Sequence, residues 1–152
     1  MAVGFYGEFH QNIDDKGRLI IPSKYRPALG SLFYITKDLW NQEDEKCLYI
    51  YPQEGFDALR EKLARLSKGP KQSRALSRAF YVSVQDSTID KQGRVLIGAE
   101  LKEHAGLNRE IVFVGVDDHI EVWDQEKWDA YNDAGSFEMD DALAESLGAL
   151  GI

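Results

Sequence analysis

Short apolar runs separated by polar turns recur along the chain, and they predict the same order of elements twice. Each copy has a strand that leads into a tight glycine turn, a β-branched strand, a short helix stopped by glycine, two further strands and a helix. In the first copy the elements after the turn are predicted at residues 19–21, 23–29, 32–36 and 47–51, with the last helix beginning at Gln53. In the second copy they are predicted at residues 95–97, 99–105, 110–116 and 120–124, with the last helix beginning at Gln125.

Three longer helical segments are predicted from their apolar spacing. The apolar stripe of the first is Phe56, Leu59, Leu63 and Leu66, and residues 67–70 end it. A second segment, residues 71–80, links the two copies. The apolar positions of the C-terminal segment are Met139, Leu143, Leu147 and Leu150. We expect an acidic amphipathic helix there that either docks on the body or a neighbouring subunit or frays.

The sequence itself is duplicated. Residues 13–21 (IDDKGRLII) match residues 89–97 (IDKQGRVLI) at an offset of 76, with five identities. Residues 53–58 match residues 125–130 at an offset of 72, as a tandem duplication with one loop insertion would leave. We therefore expect a first repeat over residues 1–70, a helical connector over 71–80, a second repeat over 81–131 and an acidic tail over 132–152.

The charge is distributed unevenly. The chain has 152 residues, of which 43% are apolar, so it is long enough to bury a core. Its net charge of −8 argues against a nucleic-acid binder when taken alone. However, residues 1–116 carry 17 Lys and Arg against 15 Asp and Glu, whereas residues 117–152 carry one Lys against 11 acids. Residues 1–116 are therefore slightly basic, with basic stretches at residues 1–37 and 57–78.

Several classes of function have no support in the sequence. The single cysteine, Cys47, excludes an intrachain disulfide and a cysteine-based zinc site, and its apolar neighbours favour a buried thiol in a reducing compartment. His10, His104 and His119 lack partners at metal-ligand spacing, and no catalytic or phosphate-binding motif occurs. We therefore expect that the protein is not an enzyme and that it has no metal site, no other cofactor and no small-molecule substrate. No apolar run is long enough to span a bilayer and the N-terminus lacks a signal-like segment, so we expect a cytoplasmic protein without a membrane partner.

An Asp-x-x-Gly-Arg motif places a carboxylate and a guanidinium at one glycine turn in each copy. The motif residues are Asp14, Gly17 and Arg18 in the first copy and Asp90, Gly93 and Arg94 in the second. One interpretation is structural: the carboxylate pairs with the arginine and with turn N–H groups and pins the loop. The other is that the first turn projects Lys16 and Arg18 from a rigid β platform into a DNA major groove, where Arg binds a guanine edge and Lys contacts a phosphate or a second base.

Further distinctive residues are Pro22, residues 104–107 (HAGL) and the pairs that precede the last helix of each copy, Tyr51-Pro52 and Trp123-Asp124. Together with the two turn motifs, they resemble the MraZ family of bacterial transcriptional regulators over nearly the whole chain. That family is similar to the AbrB/SpoVT group of swapped-hairpin DNA binders. The resemblance implies a mixed α+β fold, a pseudo-two-fold β-barrel built from two tandem SpoVT-AbrB-like half-repeats with flanking helices. It also implies a ring-shaped homo-oligomer that acts on the promoter of the division and cell-wall gene cluster that encodes it.

The resemblance also implies roles for individual residues. Lys16 and Arg18 match positions that contact DNA, while Asp14 and Gly17 hold the turn. Matching turn-forming residues in the second copy are Asp90, Gly93 and Arg94. There Gln92 replaces Lys16 and Gly98 replaces Pro22, so we expect that copy to complete the barrel or the subunit contacts. Less specific candidates for phosphate contacts are Lys24, Arg26 and the basic stretch from Arg60 to Arg78.

A head-to-tail ring presents identical loops with one polarity. The partner predicted for such a ring is double-stranded DNA with promoter direct repeats spaced by one helical turn, ~10 bp. We expect a repressor that works at the nucleoid. The competing hypothesis is an oligomeric protein-interaction module that does not bind DNA.

Overall fold

The structure is a computed structural model that describes residues 4–152. Its strands are β1 (Glu8–Asn12), β2 (Arg18–Ile20), β3 (Leu32–Lys37), β4 (Leu48–Pro52), β5 (Gln85–Thr88), β6 (Arg94–Leu96), β7 (Glu110–Val116) and β8 (His119–Asp124). Its α-helices are α1 (Arg26–Leu29), α2 (Gln53–Ser67), α3 (Lys71–Ser83), α4 (Ala99–Ala105), α5 (Gln125–Asp133) and α6 (Asp141–Ala149). A 3₁₀ turn spans Glu43–Glu45. The expected mixed α+β class is confirmed.

Strands from both repeats form one antiparallel sheet of six strands, in the order β1-β7-β8-β4-β3-β5. β2 and β6 form a separate two-stranded ribbon. Each repeat sends its first strand to the other repeat, because β1 pairs with β7 and β5 pairs with β3. The order reads the same from either end when each strand is replaced by its counterpart, β1 by β5, β3 by β7 and β4 by β8. The two tandem repeats are thus confirmed, and they share one sheet.

The sheet carries a hydrophobic core on each face, because successive residues of a strand point to opposite faces. One core joins Phe33 and Phe113 of the sheet to Leu19 and Val95 of the ribbon. The other core lies beneath α2, α3 and α5 and contains Trp123. The ribbon and this helical layer therefore lie on opposite faces of the sheet.

Helix boundaries differ from the sequence prediction at three places. α1 begins at Arg26 instead of residue 23, and the Tyr25 N–H donates to the Pro22 carbonyl at 2.9 Å in a preceding turn. Pro27 lies in the first turn of α1, the one part of a helix that tolerates its missing N–H group. α3 runs on to Ser83, and α6 is confined to Asp141–Ala149.

The environment of Cys47 agrees with the prediction of a core thiol. Its side chain is buried, and burial raises the pKa of the thiol well above its ordinary value. It is therefore protonated at neutral pH and unreactive. Among residues 4–152, no helix has both the length and the apolar character needed to cross a bilayer.

Candidate functional site

The first glycine turn is held by one carboxylate. Asp14 Oδ1 accepts hydrogen bonds from the backbone N–H groups of Lys16 at 3.0 Å and Arg18 at 2.8 Å, and Asp14 Oδ2 accepts one from Arg18 Nε at 2.7 Å. The Gly17 N–H donates to the Asp14 carbonyl at 3.0 Å. Gly17 has a φ of 82°, a conformation that favours glycine because it has no Cβ.

The second turn repeats this geometry. Asp90 accepts hydrogen bonds from the N–H groups of Gln92 at 2.9 Å and Arg94 at 2.8 Å and from Arg94 Nε at 2.8 Å. Gly93 has a φ of 80°. The second turn differs in that Arg94 Nη2 also donates to Gln92 Oε1 at 3.3 Å. A terminal nitrogen of Arg94 is thus partly engaged by its own turn.

The turn geometry fixes the charge state of both aspartates. The Arg18 backbone N–H, followed by its guanidinium, holds the pKa of Asp14 below its ordinary value, and Arg94 does the same for Asp90. Both carboxylates are therefore ionised at neutral pH. Within residues 4–152 Arg18 uses only its backbone N–H and Nε in these contacts, so its terminal nitrogens stay available to a ligand. The ion pair between the aspartate and the arginine, which the structural interpretation expects, is present in both turns. It does not prevent the arginine from binding a ligand as well.

The ribbon places both arginines on one surface. In its antiparallel register Arg18 lies opposite Leu96, Leu19 opposite Val95, and Ile20 opposite Arg94. Directly opposed residues share a face, and Leu19 and Val95 are buried. The outward face consists of Arg18, Ile20, Arg94 and Leu96, which we call the ribbon face. About 30% of each arginine side chain is exposed (30% for Arg18, 29% for Arg94).

The two turns also hold each other. The N–H of Ile21 donates to the Gly93 carbonyl at 2.9 Å, and the N–H of Ile97 donates to the Gly17 carbonyl at 2.8 Å. Each strand of the ribbon thus ends on the turn glycine of the other repeat. This reciprocal arrangement makes the two turns one rigid unit.

The remaining basic candidates occupy different settings. Lys16 is exposed beside the first turn. Lys24 Nζ lies 3.8 Å from the centroid of the Tyr6 ring, a cation–π contact. Arg26 Nε donates to the Ile21 carbonyl at 2.9 Å, and its guanidinium packs so closely on Gly93 that a Cβ there would clash. Arg26 therefore has a structural contact with the second turn, which the sequence did not suggest.

The sequence prediction missed two members of the ribbon face. Ile20 and Leu96 belong to the continuous apolar runs 19–21 and 95–97, and such runs do not alternate in a way that indicates which residue faces out. In the structure, the exposed fraction is 46% for Ile20 and 56% for Leu96. Only the strand pairing of β2 with β6 identifies them.

His104 and His119 contact carboxylates. His104 Nε2 lies 2.7 Å from Oδ1 of the buried Asp38, which ties α4 of the second repeat to the segment after β3 of the first. His119 contacts Asp118 at 2.7 Å and Glu121 at 3.1 Å. In the part of the chain that the structure describes, no three His, Cys, Asp or Glu side chains come together as a metal site would require.

Comparison with known proteins gives one family. The family model described as "MraZ protein, putative antitoxin-like" matches residues 5–79 and 81–148. The chain is 43% identical over 148 residues to a protein of Finegoldia magna named transcriptional regulator MraZ, covering 97% of this chain and 99% of that protein. It is 45% identical over 149 residues to the protein of the same name from Clostridium tetani, with coverage of 97% and 99%. A third, from Limosilactobacillus fermentum, is 44% identical over 140 residues, covering 92% of this chain and 94% of the relative.

Proposed function

This chain belongs to the MraZ family, and from that premise we propose that it is a sequence-specific DNA-binding regulator of transcription. It acts as a repressor of the division and cell-wall gene cluster, by binding direct repeats in the promoter of that cluster through the Asp14–Arg18 turn. This role takes place in the cytoplasm, at the nucleoid. Its relatives are named as regulators, and the role requires no catalysis.

The proposal rests on the orientation of the Arg18 side chain by Asp14. Asp14 binds Nε of Arg18 at 2.7 Å, which orients the guanidinium before any ligand arrives. A guanidinium held in this way presents two terminal nitrogens to the O6 and N7 atoms of a guanine, the most frequent specific contact of arginine in a major groove. A two-stranded ribbon is narrow enough to enter that groove. Lys16 beside the turn adds a phosphate or second base contact.

The fold proposed for this function is the swapped-hairpin half-barrel. It is supported by the exchange of β1 and β5 between the repeats and by the reciprocal hydrogen bonds between the ribbon ends and the turn glycines. In such a barrel the two hairpins support each other, so neither turn can move alone. A rigid platform lowers the entropic cost of binding.

The functional unit proposed is a ring-shaped homo-oligomer. α6 supports self-association because its ends are capped locally while the two members of its apolar stripe that flank it, Met139 and Leu150, are 61% and 74% exposed. The Asp140 side chain accepts from the Leu143 N–H at 2.8 Å, and the Ile152 N–H donates to the Leu147 carbonyl at 3.0 Å. A nine-residue helix is only marginally stable alone in water. A neighbouring subunit would supply the missing apolar contact, and a head-to-tail contact of this type closes into a ring.

A ring explains why the DNA partner is a set of direct repeats. Subunits related by rotation present their Asp14–Arg18 turns with one polarity, so successive repeats must face the same side of the duplex. Their spacing is then one helical turn, ~10 bp. One turn with two basic residues binds weakly, and several turns engaged together gain affinity through effective concentration.

Fluorescence anisotropy on a duplex that contains the promoter repeats tests the proposal. Arg18→Ala should abolish specific binding without unfolding the protein, which circular dichroism checks, and Arg94→Ala should reduce it less because Arg94 is also bound to Gln92. Arg65→Ala is the matched control. Arg65 is an exposed arginine of the stretch from Arg60 to Arg78, which the structure places on α2 and α3, on the face of the sheet opposite the ribbon. Equal binding by the wild type and Arg18→Ala contradicts the proposal.

Exposed apolar residues beside α6 favour a second candidate, an oligomeric protein-interaction module without DNA. Phe137, Met139 and Leu150 near this helix are 61–74% exposed. Salt separates the two candidates. Because DNA binding neutralises phosphates, the affinity for DNA should fall steeply as the ionic strength rises, whereas the affinity of an apolar protein interface should hardly change. If the affinity for the binding partner is the same at low and high salt, the protein-interaction module is favoured.

A further inference from the structure

Ile20 and Leu96 are exposed aliphatic side chains at the centre of the ribbon face, and the turn geometry gives them no role. Their exposed fractions are 46% and 56%, while their chain neighbours Leu19 and Val95 are buried. Single exposed aliphatic residues are common, but these two are adjacent to the two oriented arginines. Their position suggests a contact that forms only in a complex.

Each aliphatic side chain stands beside an arginine. Leu96 lies opposite Arg18, and Ile20 lies opposite Arg94. Opposed residues of an antiparallel pair have Cβ atoms about 4.5–5.5 Å apart, so each arginine and its neighbour reach the same small area. The two pairs are two residues apart along each strand, a distance of about 7 Å. That distance corresponds to roughly two base-pair steps of a duplex.

Packing within the protein does not require these side chains. The Ile20 N–H donates to Gln11 Oε1 at 3.2 Å, and the Leu96 carbonyl accepts from Gln85 Nε2 at 2.7 Å. The backbone of the ribbon is therefore fastened to β1 and β5 by polar contacts that do not depend on the two side chains. Truncation of either to alanine should leave the fold intact.

We propose that Ile20 and Leu96 read thymine, each by packing on a thymine 5-methyl group in the major groove while the arginine beside it binds a guanine. The proposal rests on the proposed DNA-binding function. Among the groups that base pairs present in the major groove, the thymine methyl is the apolar one. Contacts to phosphates alone would need charge at these positions and not exposed aliphatic surface. The ribbon face thus selects duplexes in which thymine and guanine lie close together.

Deoxyuridine isolates this contact because it differs from thymidine only by the missing 5-methyl group. The duplex is amplified from the region upstream of this chain's own coding sequence, once with thymidine and once with deoxyuridine triphosphate. Anisotropy then gives the ratio of the two dissociation constants for the full-length protein. The wild type should bind the thymine duplex more tightly, by about fourfold for each contacted methyl, the effect of burying one methyl group.

The double variant Ile20→Ala, Leu96→Ala should bind the thymine duplex more weakly and lose the thymine preference, with a ratio near unity. Val116→Ala is the matched control, because Val116 is 41% exposed on β7 of the main sheet, and it should keep the wild-type ratio. Circular dichroism and light scattering check the fold and the oligomer of each protein.

Two results would overturn the thymine contacts while leaving the DNA-binding function in place. One is a wild-type protein that binds both duplexes equally well. The other is a double variant whose oligomeric mass changes, because the two side chains would then belong to a subunit contact. A wild-type protein that binds neither duplex overturns the DNA-binding function itself, and the thymine contacts with it.

Discussion

Arg18 and Arg94 are separated by 76 residues in the chain, yet they lie on the same face of one two-stranded ribbon. Each is held by its own aspartate through the same hydrogen bonds. From the sequence we expected only the first turn to face DNA and the second to complete the barrel or the subunit contacts. In the proposed complex, a duplex that contacts Arg18 also passes Arg94. The two turns differ at two positions, where Asp15 and Lys16 of the first copy are replaced by Lys91 and Gln92.

The orienting role of Asp14 leads to a prediction with an unusual sign. Removing a carboxylate from a DNA-binding surface normally strengthens binding, because it lowers repulsion by the phosphates. Asp14→Ala should instead weaken specific binding at least tenfold, since Arg18 loses the acceptor of its Nε. Anisotropy on the promoter duplex measures the effect.

Asp15→Ala is the control for that experiment. Asp15 is the next residue in the same turn and is exposed, and its removal changes the net charge by the same amount. We expect unchanged or tighter binding by this variant. Weaker binding by both variants to the same degree would show that Asp14 has no specific role.

A second prediction concerns the turn glycine. Gly17 and Gly135 have similar positive φ angles, 82° and 78°, so alanine should cost each about 1–2 kcal/mol of conformational energy. A Cβ at Gly17 would also lie 3.3 Å from the Ile97 carbonyl oxygen, whereas a Cβ at Gly135 would meet no atom within 4 Å. Urea denaturation should therefore show the larger loss of stability for Gly17→Ala. An equal loss in both variants would mean that the ribbon yields to the extra atom.

The sequence predicted the parts of this architecture that depend on local chemistry. The Asp-x-x-Gly-Arg turn was recognisable because aspartate, glycine and arginine each meet a local need of one tight turn. The strand exchange depends on the pairing of β1 with β7 and of β5 with β3, and the ribbon depends on the pairing of β2 with β6. No local pattern encodes these pairings. The apolar runs that contain Ile20 and Leu96 consequently did not show that these two residues face outward, and the contact of Arg26 with Gly93 was not expected.

The hydrogen bond between His104 and Asp38 gives a prediction about the joining of the repeats. Asp38 is buried and also accepts from the backbone N–H groups of Asn41 at 2.9 Å and Cys47 at 3.4 Å. His104→Ala removes its side-chain donor, so we expect a loss of about 1–3 kcal/mol in the free energy of unfolding. His104→Gln retains a donor and should recover part of that loss in urea denaturation. Full stability of His104→Ala would mean that the backbone donors satisfy Asp38 alone.

His119 provides a prediction about pH. Burial of its ring disfavours the charged form, but hydrogen bonds to Glu121 and Asp118 outweigh burial and raise its pKa above 6.5. Its ring also lies 4.4 Å from the Tyr49 ring and 5.4 Å from the Tyr51 ring, centroid to centroid. Both tyrosines stay neutral in this range, since burial raises the pKa of each hydroxyl.

A histidine with a raised pKa in the folded state contributes stability that is fully present below the unfolded pKa and is lost as the pH rises through the folded value. The wild type should therefore exceed His119→Gln in stability most strongly below pH 6.5, and the difference should shrink as the pH rises above it. Urea denaturation of both proteins across this range measures the difference. A difference that grows with pH would contradict the assignment of the charged form to His119.

The apolar side of α6 leads to a prediction about assembly. Leu143 and Leu147 lie four residues apart on one side of this helix and are only half-buried in the single chain. If a neighbouring subunit covers them, Leu147→Asp should place a charge in an apolar contact and shift the mass measured by light scattering toward smaller species. Ala142→Asp adds the same charge on another side of the helix, in its first turn, where an acidic residue favours the helix dipole. It should leave the mass unchanged.

Because the proposed ring multiplies weak contacts, Leu147→Asp should also weaken binding to a duplex with several repeats far more than binding to a duplex with one repeat. A loss of equal size on both duplexes, or an unchanged mass, would separate α6 from the assembly of the ring.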